Sequence, residues 1–118
     1  MDVKLELVPV PVTDIDRAVR FYTGQAGFVL DVDVSPAEEV RFVQLTPPGS
    51  ACSISFSRGV PALEKMAPSS VHGIHLVIEN IEVARTDMRS RGIEVGEITD
   101  VGGGVRYTEF ADPDGNTL

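Results

Sequence analysis

The stretch TDIDRAVRFY, residues 13–22, decides the fold because its helix signal occurs twice in the chain. Thr13, followed three residues later by Asp16, resembles a capping box, in which the first side chain accepts a hydrogen bond at the start of a helix. Apolar residues then recur with the spacing of one helix face, at Ile15, Ala18, Val19 and Tyr22. The sequence therefore predicts a short helix that ends near Gly24 or Gly27.

A second copy of this pattern, NIEVARTDMRSRG, covers residues 80–92. Asn80 is expected to cap the helix and Gly92 to end it. Ile81 lies 66 residues after Ile15, and Ala84 and Met88 share its face. The chain therefore contains two related helices.

The repeat continues past the helices at an offset of 65 residues. RFVQLTPPGS at 41–50 mirrors RYTEFADPDG at 106–115, and DPDG is a strong turn signal. Each copy reads strand, helix, strand, strand, strand. The expected strands are roughly 4–11, 28–34, 40–46 and 51–57, then 71–78, 93–98 and 105–111. One more strand is expected from Asn116, apparently truncated at Leu118.

The 118 residues have the length of one domain. It divides into a first repeat at 1–57, a linker at 58–70 with a short helical turn at 62–66, and a second repeat at 71–118. Neither repeat could close its own sheet. The sequence therefore predicts an α+β fold in which two βαβββ repeats form one curved, incompletely closed mixed β-sheet, with helices on the outer face and a ligand hollow inside.

Composition narrows the partners and the location. Asp plus Glu outnumber Lys plus Arg by 18 to 10, for a net charge of −8, which argues against nucleic acid and anionic membrane surfaces as partners. No apolar run approaches the roughly 20 residues of a membrane span. MDVKLELV at the start shows no secretory signal, so we expect a cytoplasmic protein. Cys52 is the only cysteine, which excludes an intramolecular disulfide.

TDIDRAVRFYT, the Gly-Phe pair at 27–28 and FADPDGN at 110–116 together resemble the vicinal oxygen chelate superfamily. That superfamily includes glyoxalase I, extradiol dioxygenases, fosfomycin-inactivating transferases and bleomycin-resistance proteins. The resemblance covers nearly the whole chain and implies the paired-repeat fold and a homodimer with pockets shared between subunits. It does not imply one reaction, because the fold serves many.

The resemblance also implies where a divalent metal would bind in the family's enzymes. The ligands are His, Glu or Gln on the first and fourth strands of each half. The corresponding positions here are Leu7, Ser55, Gly73 and one residue after Leu118. Leucine and glycine side chains supply no donor, and a serine hydroxyl is a poor ligand for Zn or Fe. We therefore expect no metal and no other cofactor.

Strand alternation predicts which side chains face the hollow. The even-numbered residues of 8–12 and 74–78 are all apolar and suit packing under the helices. The expected ligand-binding residues are those of the opposite face: Leu7, Pro9, Phe42, Gln44, Ser53, Ser55, His75, Val77, Tyr107 and Glu109. Such apolar walls with a few polar groups suit a small organic ligand. The alternative is that these side chains simply fill the hollow.

The two histidines, His72 and His75, are three residues apart, so in a regular strand they point to opposite faces and cannot share a metal. Three roles are open for His75: general base with Glu109 as partner, hydrogen-bond partner of a ligand, or an ordinary pocket histidine. The glycines at 102–104 precede a strand rather than a helix, which favours a hairpin over a phosphate loop.

Three functions compete. The preferred hypothesis is a metal-independent protein that binds or sequesters an aromatic or otherwise hydrophobic compound, as bleomycin-resistance proteins do, with antibiotic resistance as a possible role. The second is a divalent-metal-dependent lyase, isomerase or dioxygenase of the same superfamily. The third is a catalytically silent domain that acts through its dimer surface. No catalytic residue is assigned.

Overall fold

The computed structural model describes residues 1–118. The strands are β1 (Leu7–Pro9), β2 (Val29–Ala37), β3 (Val40–Thr46), β4 (Ser53–Arg58), β5 (Thr99–Gly102) and β6 (Val105–Tyr107). The helices are α1 (Ile15–Arg20), which runs on as a π-helical turn over Phe21–Gln25, α2 (Pro61–Glu64) and α3 (Ile81–Ser90). The predicted α+β class is confirmed.

Helix α1 begins one residue later than the capping-box pattern predicts. The cap is Asp14, whose carboxylate accepts a hydrogen bond of 3.0 Å from the backbone N–H of Arg17, and this bond lowers the pKa of Asp14. Asn80 caps α3 in the same way, accepting from the N–H of Val83 at 3.0 Å. The prediction of Thr13 as the first cap is therefore wrong, and the equivalence of Asp14 with Asn80 is confirmed.

The first repeat forms a four-stranded sheet in the order β1-β4-β3-β2. Strand β1 is parallel to β4, and the other neighbours are antiparallel. Val43, Leu45, Ile54 and Phe56 are buried in the core, each no more than 4% exposed. Their neighbours in sequence lie on the other face, as the alternation predicts. We call this second face the hollow face.

The second repeat is much less regular. The expected strands at 71–78 and 93–98 do not form, and the strand expected at 105–111 is confined to β6, which pairs with β5 around the glycine turn. Single hydrogen bonds nevertheless keep the neighbour order of the first repeat: Ile74 N–H to Thr117 C=O at 3.2 Å, Leu118 N–H to Phe110 C=O at 2.9 Å, and Gly96 N–H to Glu109 C=O at 2.9 Å. The turn predicted at DPDG is formed, with Ala111 bridged antiparallel to Thr117.

A bulge explains part of this irregularity. Thr117 receives one bond from Ile74 and donates the other to the carbonyl of Val71 at 3.0 Å, so two residues, His72 and Gly73, lie between the bonded positions. A regular parallel pair leaves only one residue there. Gly73 has a φ of 75°, a left-handed conformation that interrupts a strand.

The internal repeat carries matching ion pairs that join each helix to its half of the fold. Arg41 on β3 contacts Asp16 on α1 at 2.8 Å. Arg106 on β6 contacts Glu82 on α3. Because Glu82 lies 66 residues after Asp16 and Arg106 lies 65 after Arg41, the two pairs occupy equivalent positions.

The motifs of the two repeats meet in a buried hydrogen-bond cluster. Tyr22 is fully buried and donates to the Asp112 carboxylate at 2.9 Å. Asp112 also accepts from the backbone and side-chain N–H groups of Asn116, each at 2.9 Å. Thr13 donates its hydroxyl to Asp114 at 2.6 Å across 101 residues of sequence. These motifs therefore hold the two repeats together.

Candidate functional site

The hollow face of the first sheet gathers most of the predicted first-repeat residues into adjacent rows. Pro9 pairs with Ser55, and Ser55 pairs with Gln44 across β4 and β3. Leu7 pairs with Ser53 in the row on one side of them. Phe42 pairs with Ser57 in the row on the other side. Paired residues lie on the same face of a sheet, so Leu7, Pro9, Phe42, Gln44, Ser53 and Ser55 form one surface.

A chain of polar side chains runs across this face. Gln44 donates its amide N–H to the hydroxyl of Ser53 at 3.2 Å. The hydroxyls of Ser53 and Thr46 are 2.6 Å apart. Thr46 in turn donates to the carboxylate of Asp31. We call Asp31, Thr46, Ser53 and Gln44 the polar relay.

One hydroxyl on the same face has no partner. Ser55 is 1% exposed, and its Oγ makes no hydrogen bond within the chain. It lies directly opposite Gln44, whose amide leans toward Ser53 instead. A buried hydroxyl without a partner is costly, by about 1–3 kcal/mol, which marks this row as a place where a polar group is in demand.

The predicted residues of the second repeat lie in a different place. His75, Val77, Tyr107 and Glu109 all line a cavity of about 680 Å³. Consecutive residues of 73–79 and of 104–110 line this cavity. Because alternate side chains of an extended segment point to opposite faces, a cavity lined by both sets lies between the edges of the two segments. It is mainly apolar, and Arg85, Arg106, Glu79 and Glu109 are its charged residues.

The two groups of predicted residues do not share either of the two cavities that stand out in the chain. The second of these, of about 570 Å³, lies between the start of α1, Arg41 and the linker, and it includes Pro9 alone among the predicted residues. Val77 is 97% exposed and Tyr107 is 53% exposed. Within one chain, the second-repeat residues therefore face open space rather than the hollow face of the first repeat.

The two histidines are both exposed. His72 Nδ1 lies 3.5 Å from the hydroxyl of Thr117, at the limit of a hydrogen bond. His75 makes no hydrogen bond with Glu109 within the chain, although both line the same cavity. The two side chains therefore do not form a general-base pair within one chain.

The donor set does not fit a divalent metal. Leu7 and Ser55 hold the positions that the resemblance assigns to ligands in the first repeat, and Gly73 lies in the bulge of the second. No three His, Cys, Asp or Glu side chains converge anywhere in the chain. Zn and Fe sites need imidazole, thiolate or carboxylate donors, and these positions supply none of them.

Thr46 and Asp31 are members of the polar relay that the sequence analysis missed. Thr46 could have been found, because it lies two residues after Gln44 and alternation places both on one face. Asp31 could not, because it lies at a break in the β2–β3 register, between the pairs formed by Leu30 and Val32. Alternation gives no face for a residue at a bulge.

Comparison with known proteins places these features in a family. The family profile described as Glyoxalase/Bleomycin resistance protein/Dioxygenase superfamily matches residues 4–118. No curated protein has significant sequence similarity to the chain. No helix could span a membrane, since the longest, α3, has 10 residues.

Three solved structures illustrate the likeness. TnmS3, an antibiotic binding protein from Streptomyces sp. CB03234, is 28% identical, with a TM-score of 0.83 over 98% of this chain and 92% of its own. A glyoxalase/bleomycin resistance protein from the same organism is 30% identical, with a TM-score of 0.79 over 97% of this chain and 96% of its own. A superfamily member from Sphaerobacter thermophilus DSM 20745 is 24% identical, with a TM-score of 0.77 over 98% and 94%, and shows the fold alone.

Proposed function

Because the chain belongs to the glyoxalase/bleomycin resistance protein/dioxygenase superfamily, we propose that it is a metal-independent protein that binds or sequesters an aromatic or otherwise hydrophobic organic compound. The observation that carries this proposal is the hollow face of the first sheet. There, apolar side chains flank a few fixed polar groups: Leu7, Pro9 and Phe42 beside Gln44, Ser53 and Ser55. Apolar walls with a small number of oriented polar groups are typical of sites for small organic ligands.

The second-repeat residues complete the site from another copy of the chain. His75, Val77, Tyr107 and Glu109 are exposed, and they lie in a cavity separate from the hollow face of their own chain. In the proposed homodimer they cover the hollow face of the partner. Tyr107 then supplies an aromatic wall, and His75 a hydrogen bond to the ligand rather than a catalytic base.

An antibiotic is the proposed ligand class, and sequestration the proposed form of resistance. TnmS3 is described as an antibiotic binding protein, and the likeness to it spans 98% of this chain. The proposal needs no bond to be made or broken. It places the protein in the cytoplasm, which stays a prediction.

A thermal-shift screen of aromatic and polyketide-like compounds tests ligand binding. At 100 times its Kd a ligand adds about 2.7 kcal/mol to the free energy of unfolding, which raises the melting temperature measurably. Phe42→Ala and Tyr107→Ala should each weaken every hit. Val83→Ala, at a side chain that is 62% exposed on α3, is the matched control and should not. Hits that bind all variants equally would show that the ligand lies elsewhere.

Two further measurements test the remaining parts. Elemental analysis should find no stoichiometric metal, whereas one metal per chain whose removal by a chelator abolishes an activity would favour the enzyme alternative. Light scattering should give twice the chain mass of 12.7 kDa. A monomer at ligand-binding concentrations would contradict the shared site.

A further inference from the structure

The polar relay has a fixed direction of proton donation. The carboxylate of Asp31 can only accept, so the single hydroxyl proton of Thr46 is committed to it. The hydroxyls of Thr46 and Ser53 are 2.6 Å apart, and Ser53 must therefore donate its own proton to Thr46. This leaves only lone pairs on Ser53 for its remaining partner.

The relay thereby sets the orientation of the Gln44 amide. Because Ser53 has no proton left to give, the contact of 3.2 Å from Gln44 to Ser53 has to be an N–H donation. The amide oxygen of Gln44 is then turned away from Ser53. It makes no hydrogen bond within the chain and stands free on the hollow face.

We infer that Gln44 Oε1 is the acceptor that selects, at this site, a neutral ligand carrying a hydroxyl or N–H donor on an aromatic ring. This rests on the proposed function and deepens it by naming the polar character of the ligand. An anionic group is disfavoured there, since it would face a second acceptor, the Asp31 carboxylate behind the relay, and a chain of net charge −8.

Thr46→Val tests the inference because it cuts the relay while keeping a β-branched residue in the strand. Without the Thr46 acceptor, Ser53 can turn its proton toward Gln44, and the amide can flip to present its N–H₂ group. Asp31→Asn is a milder second variant at an exposed residue, because an asparagine N–H can donate to Thr46 and reverse the chain. Thr86→Val, at an exposed residue of α3 without a side-chain hydrogen bond, is the control.

The probes are 2-naphthol and its methyl ether, 2-methoxynaphthalene, which differ in the donor. Their Kd values are measured by fluorescence titration for each variant. We expect Thr46→Val to lower the preference for 2-naphthol over the ether by about fivefold, the value of one neutral hydrogen bond. Asp31→Asn should shift the preference in the same direction by less, and Thr86→Val should leave it unchanged. Using the change in the ratio removes the intrinsic difference in hydrophobicity between the probes.

The outcomes separate the inference from the function beneath it. An unchanged ratio in both relay variants, with both probes still bound, overturns the role of Gln44 and leaves the binding function standing. If neither probe binds to the wild-type protein, the proposed aromatic site is wrong and the inference is overturned with it.

Discussion

The first repeat builds a sheet of four strands with nearly continuous register, whereas the second repeat arranges the same neighbours through single hydrogen bonds. Helix caps, ion pairs and strand order recur in both. The difference lies at the bulge formed by His72 and Gly73 and at the third pairing partner, which enters the second half only over Asn116 to Leu118. A repeated sequence pattern therefore preserves which segments are neighbours more faithfully than how many bonds join them.

The largest expected contrast compares two equivalent core positions. Ile54 lies opposite Leu45 inside the regular sheet, and Leu118 lies opposite Phe110 beside the cavity of the second repeat. We expect Ile54→Ala to lower the free energy of unfolding by about 4 kcal/mol and Leu118→Ala by about 2 kcal/mol, because neighbours relax more easily next to a cavity. Urea unfolding measures both. Equal losses would mean that the second repeat is packed as tightly as the first.

The next contrast concerns the two proline turns. Asp112 accepts four hydrogen bonds, from Tyr22, from Asp114 and twice from Asn116, while its equivalent in the first repeat is Pro47. Asp112→Ala should lower the free energy of unfolding by about 3 kcal/mol, because it leaves buried donors without acceptors. Pro47→Ala should cost less than about 1 kcal/mol. A small effect at Asp112 would show that water replaces the carboxylate.

The same cluster gives a pH dependence. Burial, and then the neighbouring Asp112 carboxylate, raise the pKa of Tyr22 far above its ordinary value. Tyrosine in the unfolded chain ionises near pH 10, so the stability that the neutral Tyr22 provides is complete below about pH 10 and is lost as the pH rises above it. We expect a fall of about 1.4 kcal/mol per pH unit there in urea titrations. Tyr22→Phe should remove this fall, and Tyr107→Phe, at an exposed residue, should retain it.

The smallest contrast is between the two ion pairs. Arg41 is bound by both Asp16 and Asp33 with its side chain only 17% exposed, whereas Arg106 has Glu82 alone and is 41% exposed. Arg41→Gln should cost about 1 kcal/mol, and Arg106→Gln should have no measurable effect. Because the hydrogen bond from Arg41 lowers the pKa of Asp33, this stability is present above about pH 4 and lost as the pH falls further. Equal effects in 1 M salt and in low salt would argue against a charge contribution.

The helices and the faces of the strands were predictable from sequence because both depend on local rules. Capping and apolar spacing located α1 and α3 to within a residue or two. Alternation assigned Ile54 and Phe56 to the core and the serines between them to the hollow face. The offsets that align Arg41 with Arg106 also align Asp16 with Glu82, so the ion pairs were within reach of the same comparison.

The strands of the second repeat were not predictable by these rules. Alternation at 71–78 says which side chains face the core, and Ile74 and Leu76 do pack against it, but it does not say whether a neighbouring strand is present to bond the backbone. The same limit applies to the candidate site. Gln44 and Ser53 follow from alternation, while their link to Asp31 depends on a bulge that only the pairing reveals.

The contact between Thr13 and Asp114 joins residues 101 positions apart. Closing a loop of that length costs about 4 kcal/mol of chain entropy, which must be met before Tyr22 finds its acceptor. Folding of this chain is therefore expected to be slow relative to helical proteins of the same size, with a nucleus that needs both repeats. A ribosome that has made only the first repeat holds a tyrosine hydroxyl with no acceptor, so the first sheet becomes stable only when the second turn arrives.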